Sequence, residues 1–583
     1  MAEYTNYKTL IHGDSYNSVQ ELWNQEINNS TVFQFGNTTT ITYTYLQHLP
    51  SYYIPGVDEE ALNGVFQPLS SQIDALNILL GNANNGYQSL YEDVANIVFS
   101  NVDNSFNADN VGALTFGGTL PSGDESGAPA YAFNPWTDSA GKKQGDVWID
   151  RLNNNPFTTN FSQGATGFSI LIHEIGHALG LEHPWAKTSS ELSPHLGINE
   201  LNNKYSIMVD LPLEYSHPDM YYRSEVDEGK YIYSLGLYDI AALQAIYGAD
   251  TTTRAGHTTY KIGQGLQNAN TPFIYTIWDG GGIDTIDTAG YADGVQIDLR
   301  QGHFSSIGKN GNPNGDRVVF DGGSYDAGNV AIAFHAVIEN AVGTGENDII
   351  IGNAWGNKLE GGGGDDFLYG SGFEYDGQEG FTDIDPNDAN DPNRTKPVSD
   401  DDTFLGGEGN DYIYGGLGKD TADYSEDASG GGANRIIVSL DNNGDGIVID
   451  GFGDTDTLHS VENIIGTSKA DRFQLQGPAG RVIDGGLGED RVLYSTSIVH
   501  DQNTDRVWGK EGSTYDTLEN IKSVDTLAGR VLPQYSDDFR LDVGLGRPAY
   551  DYSGLHPGSD IEATITLSGG LRAYGATMYS GGP

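Results

Sequence analysis

Three histidines and two glycines lie within twelve residues of the chain, in the stretch HEIGHALGLEHP that begins at His173. The surrounding GFSILIHEIGHALG has the apolar spacing of a helix, which places His173 and His177 one turn apart on the same face. Two imidazoles in that relation can bind one metal ion. Glu174 follows the first histidine directly, close enough to reach a water at the metal without being a ligand.

Two further residues extend this pattern beyond the helix. Gly180 is expected to take a left-handed conformation that ends the helix and returns His183 to the same ion. Three neutral imidazoles leave one of zinc's four positions open, which is typical of a catalytic rather than a structural site. A helix that holds these residues by accident is the weaker explanation. The other histidines, such as His12, His195 and His217, lack partner spacing and are interpreted as ordinary surface or core residues.

The composition limits the classes of partner. The 583 residues include 29 Lys and Arg against 81 Asp and Glu, a formal net charge of −52. Nucleic acid and anionic membrane surfaces would be repelled, so neither is expected as a partner. Disorder is also disfavoured, because 37% of the residues are hydrophobic and 11% are aromatic. Bound cations are the better explanation for the acidic excess. The absence of cysteine excludes thiolate ligands and thiol nucleophiles.

The chain changes character near residue 250. Before it, helix-like periodicity alternates with short strand-like runs such as TTTITYTYL and GDVWIDRL, which predicts an α+β domain. After it, helices are expected to stop, and short apolar strands alternate with Gly, Asp and Asn turns. No run is long enough for a membrane-spanning helix, and the first residues do not read as a signal peptide. We therefore expect either a cytosolic protein or export by a route that does not read the N-terminus.

A nine-residue repeat of the form GGxGxDx(apolar)x fills part of the second half. Copies begin at Gly343, Gly352, Gly361, Gly406, Gly415 and Gly485, and Gly370 continues the nine-residue spacing of the first run. Each copy predicts a six-residue turn and a three-residue strand with one inward apolar residue. Ligands that are all oxygen atoms suit calcium, which tolerates flexible cages of six to eight oxygens better than magnesium does. A flexible glycine linker is the alternative, but a linker lacks an Asp at fixed phase.

Three other features of the second half have simpler interpretations. DNNGDG at residues 441–446 resembles the start of an EF-hand, but its twelfth position is Phe452 and no helices are predicted beside it, so a turn is expected. The polar insertion at 376–402 is interpreted as a surface loop. A longer pattern, GGGIDTID…VQIDLRQG…IENAVGT, recurs as GGLGKDTADYS…IIVSLDNNG…VENIIGT and, more eroded, from Gly485. One β module is therefore repeated.

These motifs resemble a known family. HEIGHALGLEHP matches the HExxHxxGxxH zinc motif of the metzincin peptidases, and YSIM at residues 205–208 resembles their Met-turn. With LYDIAALQAIYGAD, TTTRAGHTTY, IWDGGGIDTID and IENAVGTGENDIIIGN in that order, the chain is similar to the serralysins. The similarity is good over residues 80–370 and looser elsewhere. It implies an α+β zincin-like catalytic domain followed by an all-β parallel β-roll (RTX) domain with additional β modules.

Domain boundaries follow from the resemblance and from the change in texture. Residues 1–20 are expected to be an N-terminal extension or short pro-segment, and residues 21–250 the catalytic domain. Residues 251–525 are expected to form the calcium-binding β-roll and its repeated modules. Residues 526–583 form a C-terminal region in which an export signal is expected, although the ending ATMYSGGP lacks the acidic-then-apolar residues usual for the family.

The resemblance also assigns roles to single residues. His173, His177 and His183 become the ligands of one catalytic zinc ion, Glu174 the general base, and Met208 the Met-turn methionine, which is not a ligand. For a calcium site at the domain junction it implies Arg254, Gly256, Thr258, Asp279, Gly281 and Asp284. The nonapeptide pattern supplies further calcium ligands, which are Gly343, Gly345, Asp348, Gly362, Gly364, Asp366, Gly407, Gly409, Asp411, Gly416, Gly418, Asp420, Gly486, Gly488 and Asp490.

Substrate and location are implied in the same way. AYAF, from Ala130, is expected to be the edge strand that pairs with an extended protein or peptide substrate through Ala130, Tyr131 and Ala132. Trp148 would lie on the neighbouring strand. The serralysin resemblance implies a monomeric bacterial protein, extracellular or attached to the cell surface, that leaves through the type I secretion machinery. No membrane insertion is expected.

One position departs from the serralysin pattern. Serralysins have a tyrosine two residues after the Met-turn methionine, as a zinc ligand that swings out to stabilise the oxyanion. This chain has Asp210 there. Its carboxylate either approaches the zinc or points elsewhere, and Tyr205 and Tyr215 are alternative donors. Loss of one oxyanion donor costs about 10²–10³ in rate in other hydrolases.

The sequence therefore predicts a secreted zinc-dependent endopeptidase that hydrolyses peptide bonds of extracellular proteins and is stabilised by calcium. Two alternatives stay open. The first is a calcium-dependent surface or adhesion protein with a vestigial zinc site, against which the complete histidine and glutamate set argues. The second is a processing protease dedicated to one surface or exported protein, with the extra β modules as its docking surface.

Overall fold

The computed structural model describes eighteen stretches of the chain. They are residues 39–45, 70–80, 90–91, 93–101, 114–119, 130–132, 146–150, 160–162, 164–181, 183–184, 202–209, 231–262, 273–308, 328–370, 373–375, 381–383, 401–509 and 514–527. Within these stretches, none of the helices has both the length and the apolar character needed to cross a membrane.

The N-terminal half contains a five-stranded sheet. Its strands are β1 (Thr39–Tyr45), β2 (Ile97–Asn101), β3 (Leu114–Thr119), β4 (Ala130–Ala132) and β5 (Asp146–Asp150). The order is β2-β1-β3-β5-β4, with every pairing parallel except that of β4 with β5. The alternation in β1 turns Ile41 and Tyr43 into the core, as expected for a half-buried strand. The antiparallel strand β4 forms one edge.

Three helices accompany this sheet. They are α1 (Ser70–Leu80), α2 (Thr166–Ala178) and α3 (Leu237–Tyr247). Leu76, Leu79 and Leu80 of α1 are fully buried, at the spacing that puts residues on one helix face. Helix α2 contacts α1 and the strands β4 and β5. The sequence prediction of α2 as a helix is confirmed, and α3 ends at Gly248, whose φ of 83° suits glycine.

A four-stranded sheet links the two halves. Its strands are β6 (Tyr231–Ile232), β8 (Phe273–Ile277), β11 (Phe304–Ser305) and β12 (Val330–Ile332), in the order β11-β12-β8-β6. Strand β6 comes directly before α3, and β8 pairs with it in parallel. An ion pair between Arg254 and Asp93, with a nitrogen–oxygen distance of 3.3 Å, also joins the halves.

The second half forms two large sheets. The eleven-stranded sheet contains β7 (Thr259–Tyr260), β9 (Thr285–Asp287), β13 (Asn340–Val342), β15 (Lys358–Gly363), β19 (Thr403–Glu408), β21 (Thr421–Asp423), β25 (Asn463–Ile465), β27 (Val482–Asp484), β29 (Ile498–Asp501), β30 (Arg506–Gly509) and β31 (Tyr515–Glu519). The ten-stranded sheet contains β10 (Gln296–Asp298), β14 (Ile349–Ile351), β16 (Phe367–Tyr369), β20 (Tyr412–Tyr414), β22 (Ile437–Leu440), β23 (Gly446–Ile449), β24 (Thr455–His459), β26 (Arg472–Leu475), β28 (Arg491–Tyr494) and β32 (Ser523–Thr526).

Consecutive repeat strands alternate between these two sheets. From β13 to β16 and from β19 to β21, each strand lies in the sheet opposite to the strand before it and pairs in parallel within its own sheet. The alternation is consistent with a parallel β-roll, and these two sheets are called the roll below. The predicted inward apolar residue of the copies is confirmed, since these side chains are fully buried: Ile350, Leu359, Leu368, Ile413, Ala422 and Val492. Ala341 in β13 and Phe404 in β19 are fully buried as well.

The longer repeat also has a structural counterpart. In its first two copies, β9 pairs with β13 and β21 pairs with β25 in the eleven-stranded sheet. In the third copy β28 pairs with β32 in the ten-stranded sheet, so the two sheets exchange roles. The second and third copies each carry an antiparallel three-strand meander, β22-β23-β24 and β29-β30-β31.

Two details of the second half correct the sequence analysis. Helices do not stop at residue 250, because a short helix α4 (Asp427–Gly430) follows β21. The insertion at 376–402 is not only a loop. Together with β17 (Phe373–Tyr375), the strand β18 (Phe381–Asp383) forms a hairpin, and Asp402 is buried in the roll. The predicted turn at 441–446 is confirmed as the connection between β22 and β23.

A buried arginine lies among the last coils of the roll. The side chain of Arg481 is 1% exposed and donates from Nη1 to the carbonyl of Gly477 at 2.7 Å. The same Nη1 lies 3.7 Å from Oδ2 of the fully buried Asp516. Oδ1 of Asp516 accepts three backbone N–H bonds, and the Tyr494 hydroxyl donates to Oδ2 at 2.9 Å. The chain thus supplies its own cation to this carboxylate.

Candidate metal centre and active site

Helix α2 holds the two predicted histidine ligands in the domain core. Phe168, Leu171, Ile172 and Ile175 of α2 are fully buried, and the Tyr91 hydroxyl donates to the carbonyl of Ile172 at 2.6 Å. The burial of these side chains sets the rotation of the helix about its axis. As a result, residues 173, 174 and 177 lie together on another side of the helix, and each of them is only 8% exposed.

The turn after α2 returns the chain to the same region. Gly180 has a φ of 105°, a conformation that favours glycine, and the prediction of its left-handed turn is confirmed. Its N–H donates to the carbonyl of His177 at 3.0 Å, and the N–H of Leu181 donates to the carbonyl of Gly176 at 2.9 Å. These bonds satisfy the last carbonyls of the helix. They bring His183 back beside the helix.

The three imidazoles converge through the same ring nitrogen. Nε2 of His183 lies 3.1 Å from Nε2 of His173 and 3.2 Å from Nε2 of His177. Zinc–nitrogen bonds of about 2.0–2.1 Å in a tetrahedron place ligand nitrogens about 3.3–3.4 Å apart, so the spacing fits zinc. Among the residues described, this is the one cluster of three or more His, Cys, Asp or Glu side chains close enough to bind an ion.

Backbone carbonyls fix the tautomer of two of these rings. Nδ1 of His173 donates to the carbonyl of Ile207 at 2.9 Å, and Nδ1 of His177 donates to the carbonyl of Leu181 at 2.8 Å. With Nδ1 protonated, a neutral ring has its lone pair on Nε2. The two lone pairs point into a space shared with His183, an arrangement that repels unless a cation or proton lies between them. The donor set therefore fits a metal ion.

Met208 lies beneath the histidines, in the turn predicted from its sequence. Its side chain is fully buried, and a Cβ atom added to Gly176 would lie 2.7 Å from its Sδ atom. Gly176 is the residue before His177, so the sulfur packs directly against the helix between the two ligands. The requirement for glycine inside HExxH was not recognised from the sequence.

Gly176→Ala is expected to destabilise the protein by about 1–3 kcal/mol, because a methyl group must displace the buried Met208 side chain. Thermal unfolding of the zinc-loaded protein measures this loss. Gly509→Ala is the matched control, since a Cβ atom there meets nothing within 4 Å. Equal stability of the two variants would contradict the packing of Met208 against the helix.

A buried carboxylate missed by the sequence analysis supports this turn. Asp239, in the first turn of α3, is fully buried and accepts hydrogen bonds from the Ser206 hydroxyl at 2.7 Å, the Ile207 N–H at 2.7 Å and the Gly236 N–H at 2.8 Å. Burial raises the pKa of Asp239 to about 7, and the three hydrogen bonds oppose that rise. The signal available in the sequence was an acidic residue inside the apolar LYDIAALQAIY.

Tyr205 is one of the two tyrosines considered as an oxyanion donor in place of the residue at position 210, and the structure describes its surroundings. The ring of Tyr205 stacks on Tyr238 at 5.2 Å between centroids and meets Phe304 edge-on at 4.9 Å. Tyr205 therefore packs between α3 and β11, in the contact between the two halves. Asp210 and Tyr215 lie outside the described residues.

The predicted substrate strand lies at an edge of the first sheet. Strand β4 pairs antiparallel with β5, with Tyr131 opposite Trp148. Ala130 is buried, Ala132 is partly buried, and β4 contacts α2, which carries the histidines. Within the described residues, β4 has no second strand partner. Phe133, the last residue of AYAF, lies outside them.

Carboxylates of the predicted junction site converge on one backbone loop. The N–H of Thr258 donates to Oδ1 of Asp284 at 2.7 Å, while Oδ2 of this fully buried side chain has no hydrogen-bond partner. Burial raises the pKa of Asp284 to about 7, with Asp279 and Glu339 adding to the rise. A Cβ atom on Gly282 would lie 2.6 Å from the carbonyl oxygen of Gly256. A buried carboxylate oxygen without a hydrogen-bond partner, here Oδ2 of Asp284, in a loop with the Gly256 carbonyl fits a hard cation.

Repeat aspartates form a ladder along the roll. The N–H of Asp348 donates to Oδ1 of Asp366 at 2.8 Å, Asp366 in turn to Asp411 at 2.8 Å, and Asp411 to Asp456 at 3.0 Å. Oδ2 of Asp366 and Oδ2 of Asp411 are buried without a hydrogen-bond partner. Burial, followed by the charge of Asp411, raises the pKa of Asp366 to about 10. These oxygens fit calcium.

Other predicted ligands differ in their surroundings. The glycines at the second and fourth positions of four copies have positive φ, as the turn requires; they are Gly362, Gly364, Gly407, Gly409, Gly416, Gly418, Gly486 and Gly488. Gly343 and Gly345 stand at the first and third positions of their copy and do not have positive φ. In that first copy both oxygens of Asp348 accept protein hydrogen bonds, from Val295 and from Thr344. The sequence analysis did not include Asp456, which lies in this ladder, or Asp402, whose N–H donates to Oδ1 of Asp420 at 2.9 Å in a second ladder.

Comparison with known proteins matches both halves of the chain. The family model described as Matrixin matches residues 90–209, and the one described as Peptidase M10 serralysin C terminal matches residues 238–384. "Metalloprotease AprA" of Pseudomonas entomophila (strain L48) is 31% identical over 345 residues, which cover 55% of this chain and 61% of that protein. "Serralysin G" of Dickeya chrysanthemi is 30% identical over 344 residues, covering 56% and 62%.

A third relative, "Serralysin" of Proteus mirabilis, is 34% identical over 286 residues, covering 46% of this chain and 53% of that protein. The chain thus spans about half to three fifths of the length of these relatives. A Matrixin region precedes a serralysin C-terminal region, in the order predicted from the motifs. Over residues 90–384 the chain is therefore similar to the serralysin-type peptidases of the M10 family.

Proposed function

We propose that this protein is a secreted zinc-dependent endopeptidase whose C-terminal domain is stabilised by calcium. The observation that carries the proposal is the convergence of three Nε2 atoms, with spacings of 3.1 and 3.2 Å, above the buried Met208. The match of residues 90–209 to the Matrixin model supports the same chemistry. The finer fold assignments, a zincin-like catalytic domain and an RTX-type roll, belong to this proposal.

His173, His177 and His183 would hold the zinc ion, and Glu174 would act as general base. When bound, zinc supplies Lewis acidity to the scissile carbonyl and lowers the pKa of water in the site. Glu174, only 8% exposed beside His173, would take the proton of the attacking water and deliver it to the leaving amine. Burial of the carboxylate limits competition from bulk water.

An extended substrate would add to the first sheet along β4. Main-chain hydrogen bonds at a sheet edge hold a peptide irrespective of most side chains, which suits an enzyme that cleaves proteins. Ala130, Tyr131 and Ala132 would make this contact. The antiparallel pairing of β4 with β5 and its contact with α2 support the proposal, because they set the edge beside the histidines.

Calcium would bind at the junction and along the roll. The buried open oxygens of Asp284, Asp366 and Asp411 support this, since a net charge of −52 leaves few protein cations to balance them. Zinc and calcium are thus the expected cofactors. Export by type I secretion and action outside a bacterial cell belong to the same proposal, which the serralysin-type C-terminal match supports. The monomeric state is proposed with them.

Digestion of casein by the purified protein tests the activity. Cleavage is expected with zinc and calcium present, to stop when a zinc-selective chelator is added, and to return when zinc is restored. A panel of unrelated proteins then separates a broad protease from a dedicated one. Absence of cleavage of every protein by a zinc-loaded, folded sample would overturn the proposal and favour the adhesion alternative.

A further inference from the structure

A chain of hydrogen bonds runs from a buried carboxylate to the first histidine of the cluster. Oδ1 of Asp239 accepts from the Ser206 hydroxyl at 2.7 Å, and Oγ of Ser206 accepts from the N–H of Met208 at 3.0 Å. That N–H and the carbonyl of Ile207 belong to the same peptide group. The carbonyl accepts from Nδ1 of His173 at 2.9 Å. Four groups are therefore linked in one direction.

Each bond in such a chain strengthens its neighbours. A carboxylate polarises the Ser206 hydroxyl, the hydroxyl polarises the Ile207–Met208 peptide, and the carbonyl becomes a stronger acceptor for His173. Ser206, Asp239 and Met208 are fully buried, so water does not screen the effect. A stronger acceptor at Nδ1 raises the basicity of Nε2 on the same ring.

The second histidine is held differently. Nδ1 of His177 donates to the carbonyl of Leu181, in the turn that follows its own helix. The N–H of Leu181 donates back to Gly176 in that helix. The local helix cap thus positions His177, whereas a residue from α3, some sixty positions further on, acts on His173.

We propose that Ser206 and Asp239 are positioning residues that hold His173 in its Nδ1–H tautomer and increase the donor strength of its Nε2 atom. The proposal rests on the proposed zinc site and deepens it. Neither residue touches substrate or metal. Asp239 also accepts hydrogen bonds from the N–H groups of Ile207 and Gly236, so it connects the Met-turn to the start of α3. This connection holds in place the chain of hydrogen bonds from Asp239 to His173, which is called the relay below.

Ser206→Ala breaks the relay at its centre, and Asp239→Asn removes its charge while preserving the volume. Ser234→Ala is a matched control, because the buried Ser234 hydroxyl also accepts a backbone N–H, from Thr276 at 2.7 Å, and donates to a carbonyl, that of Leu235. No carboxylate or histidine belongs to that arrangement. The control therefore carries a similar loss of stability without touching the relay.

Two measurements on the full-length protein test the proposal. Zinc affinity, from competition with a chromophoric chelator, is expected to fall about 10–100-fold in both relay variants and less than about threefold in Ser234→Ala. Nitrogen-15 spectra of the zinc-free protein with labelled histidines are expected to change at His173 in the relay variants while His177 keeps its signals. If Ser206→Ala does not fold, Asp239→Asn alone still tests the proposal by the same two measurements.

Equal changes at His173 and His177, or a loss of zinc affinity no larger than in Ser234→Ala, would overturn the relay and leave Ser206 with a purely structural role. That result would not affect the proteolytic assignment. The opposite result is also informative. If the relay variants show the selective effect on His173 and the wild-type protein binds zinc but cleaves no protein, the relay stands and the proposed function is overturned.

Discussion

Glu174→Gln is expected to reduce peptide hydrolysis at least about 10²–10⁴-fold while the protein still binds one zinc ion. Glutamine keeps the size of the glutamate side chain, so the nearly buried surroundings of residue 174 need not change. It cannot accept the proton of the attacking water, and loss of a general base costs a factor of this size. Cleavage of a fluorogenic peptide and metal analysis of the same sample measure the two quantities.

His183→Ala is the complementary control for this experiment. The variant removes one of the three Nε2 donors, so zinc binding itself is expected to weaken, and activity is lost for a different reason. Glu174→Gln with wild-type zinc content and no activity, beside His183→Ala with low zinc content, would separate the base from the ligands. Substantial cleavage by Glu174→Gln would exclude Glu174 as the base.

Removal of calcium at pH 7.5 is expected to unfold the roll. A calcium site that is saturated at about 1,000 times its Kd stabilises the folded state by about 4 kcal/mol. Two such sites supply about 8 kcal/mol, which is comparable with the whole stability of a typical domain, about 5–15 kcal/mol. Loss of the β-sheet circular dichroism signal after dialysis into a calcium-free buffer measures the effect, and readdition of calcium should restore it.

The calcium-free protein is further expected to lose stability as the pH rises. The raised pKa values, about 7 for Asp284 and Asp411 and about 10 for Asp366, mean that the folded roll binds protons more tightly than the unfolded chain does. Their contribution is fully present below the ordinary Asp pKa of 3.8 and is lost as the pH rises through these folded values. Melting temperatures at pH 5 and pH 8 without calcium test the sign.

Calcium should reverse that dependence, because the ion requires deprotonated carboxylates. With calcium in excess, the melting temperature is expected to be higher at pH 8 than at pH 5. A magnesium-containing sample is the control for general ionic screening. A roll that melts at the same temperature with and without calcium at pH 8 would contradict the sites at Asp366 and Asp411.

The parts of the fold and site predicted from the sequence are those set by local spacing. His173 and His177 share a helix face because they are four residues apart, and Gly180 is needed wherever a helix ends in a left-handed turn. The inward apolar residues of the repeats follow from their nine-residue phase. The serralysin resemblance added the order of the two regions, which the family matches confirm.

Residues that act across the fold were not predictable in this way. Ser206 and Asp239 are 33 positions apart, and only tertiary structure places a hydroxyl and a carboxylate together. Asp402 and Asp456 stand in degenerate copies without the full glycine pattern, so the motif did not find them. The sheets are exchanged in the third copy because two strands, β26 and β27, lie between β25 and β28 and strands alternate between the sheets, and no local signal marks this.

Arg481 bears on how the demand for calcium varies along the C-terminal domain. Asp516 receives its positive partner from the polypeptide itself, whereas Asp366 and Asp411 have open oxygens that await an ion from solution. In a repeat domain each unit contacts only its neighbours, so each coil contributes its own share of the stability. Asp490, in the neighbouring coil, has a buried Oδ2 without a hydrogen-bond partner, like Asp366 and Asp411. The demand for calcium is therefore expected to differ from coil to coil, and it is lowest where Arg481 already balances Asp516.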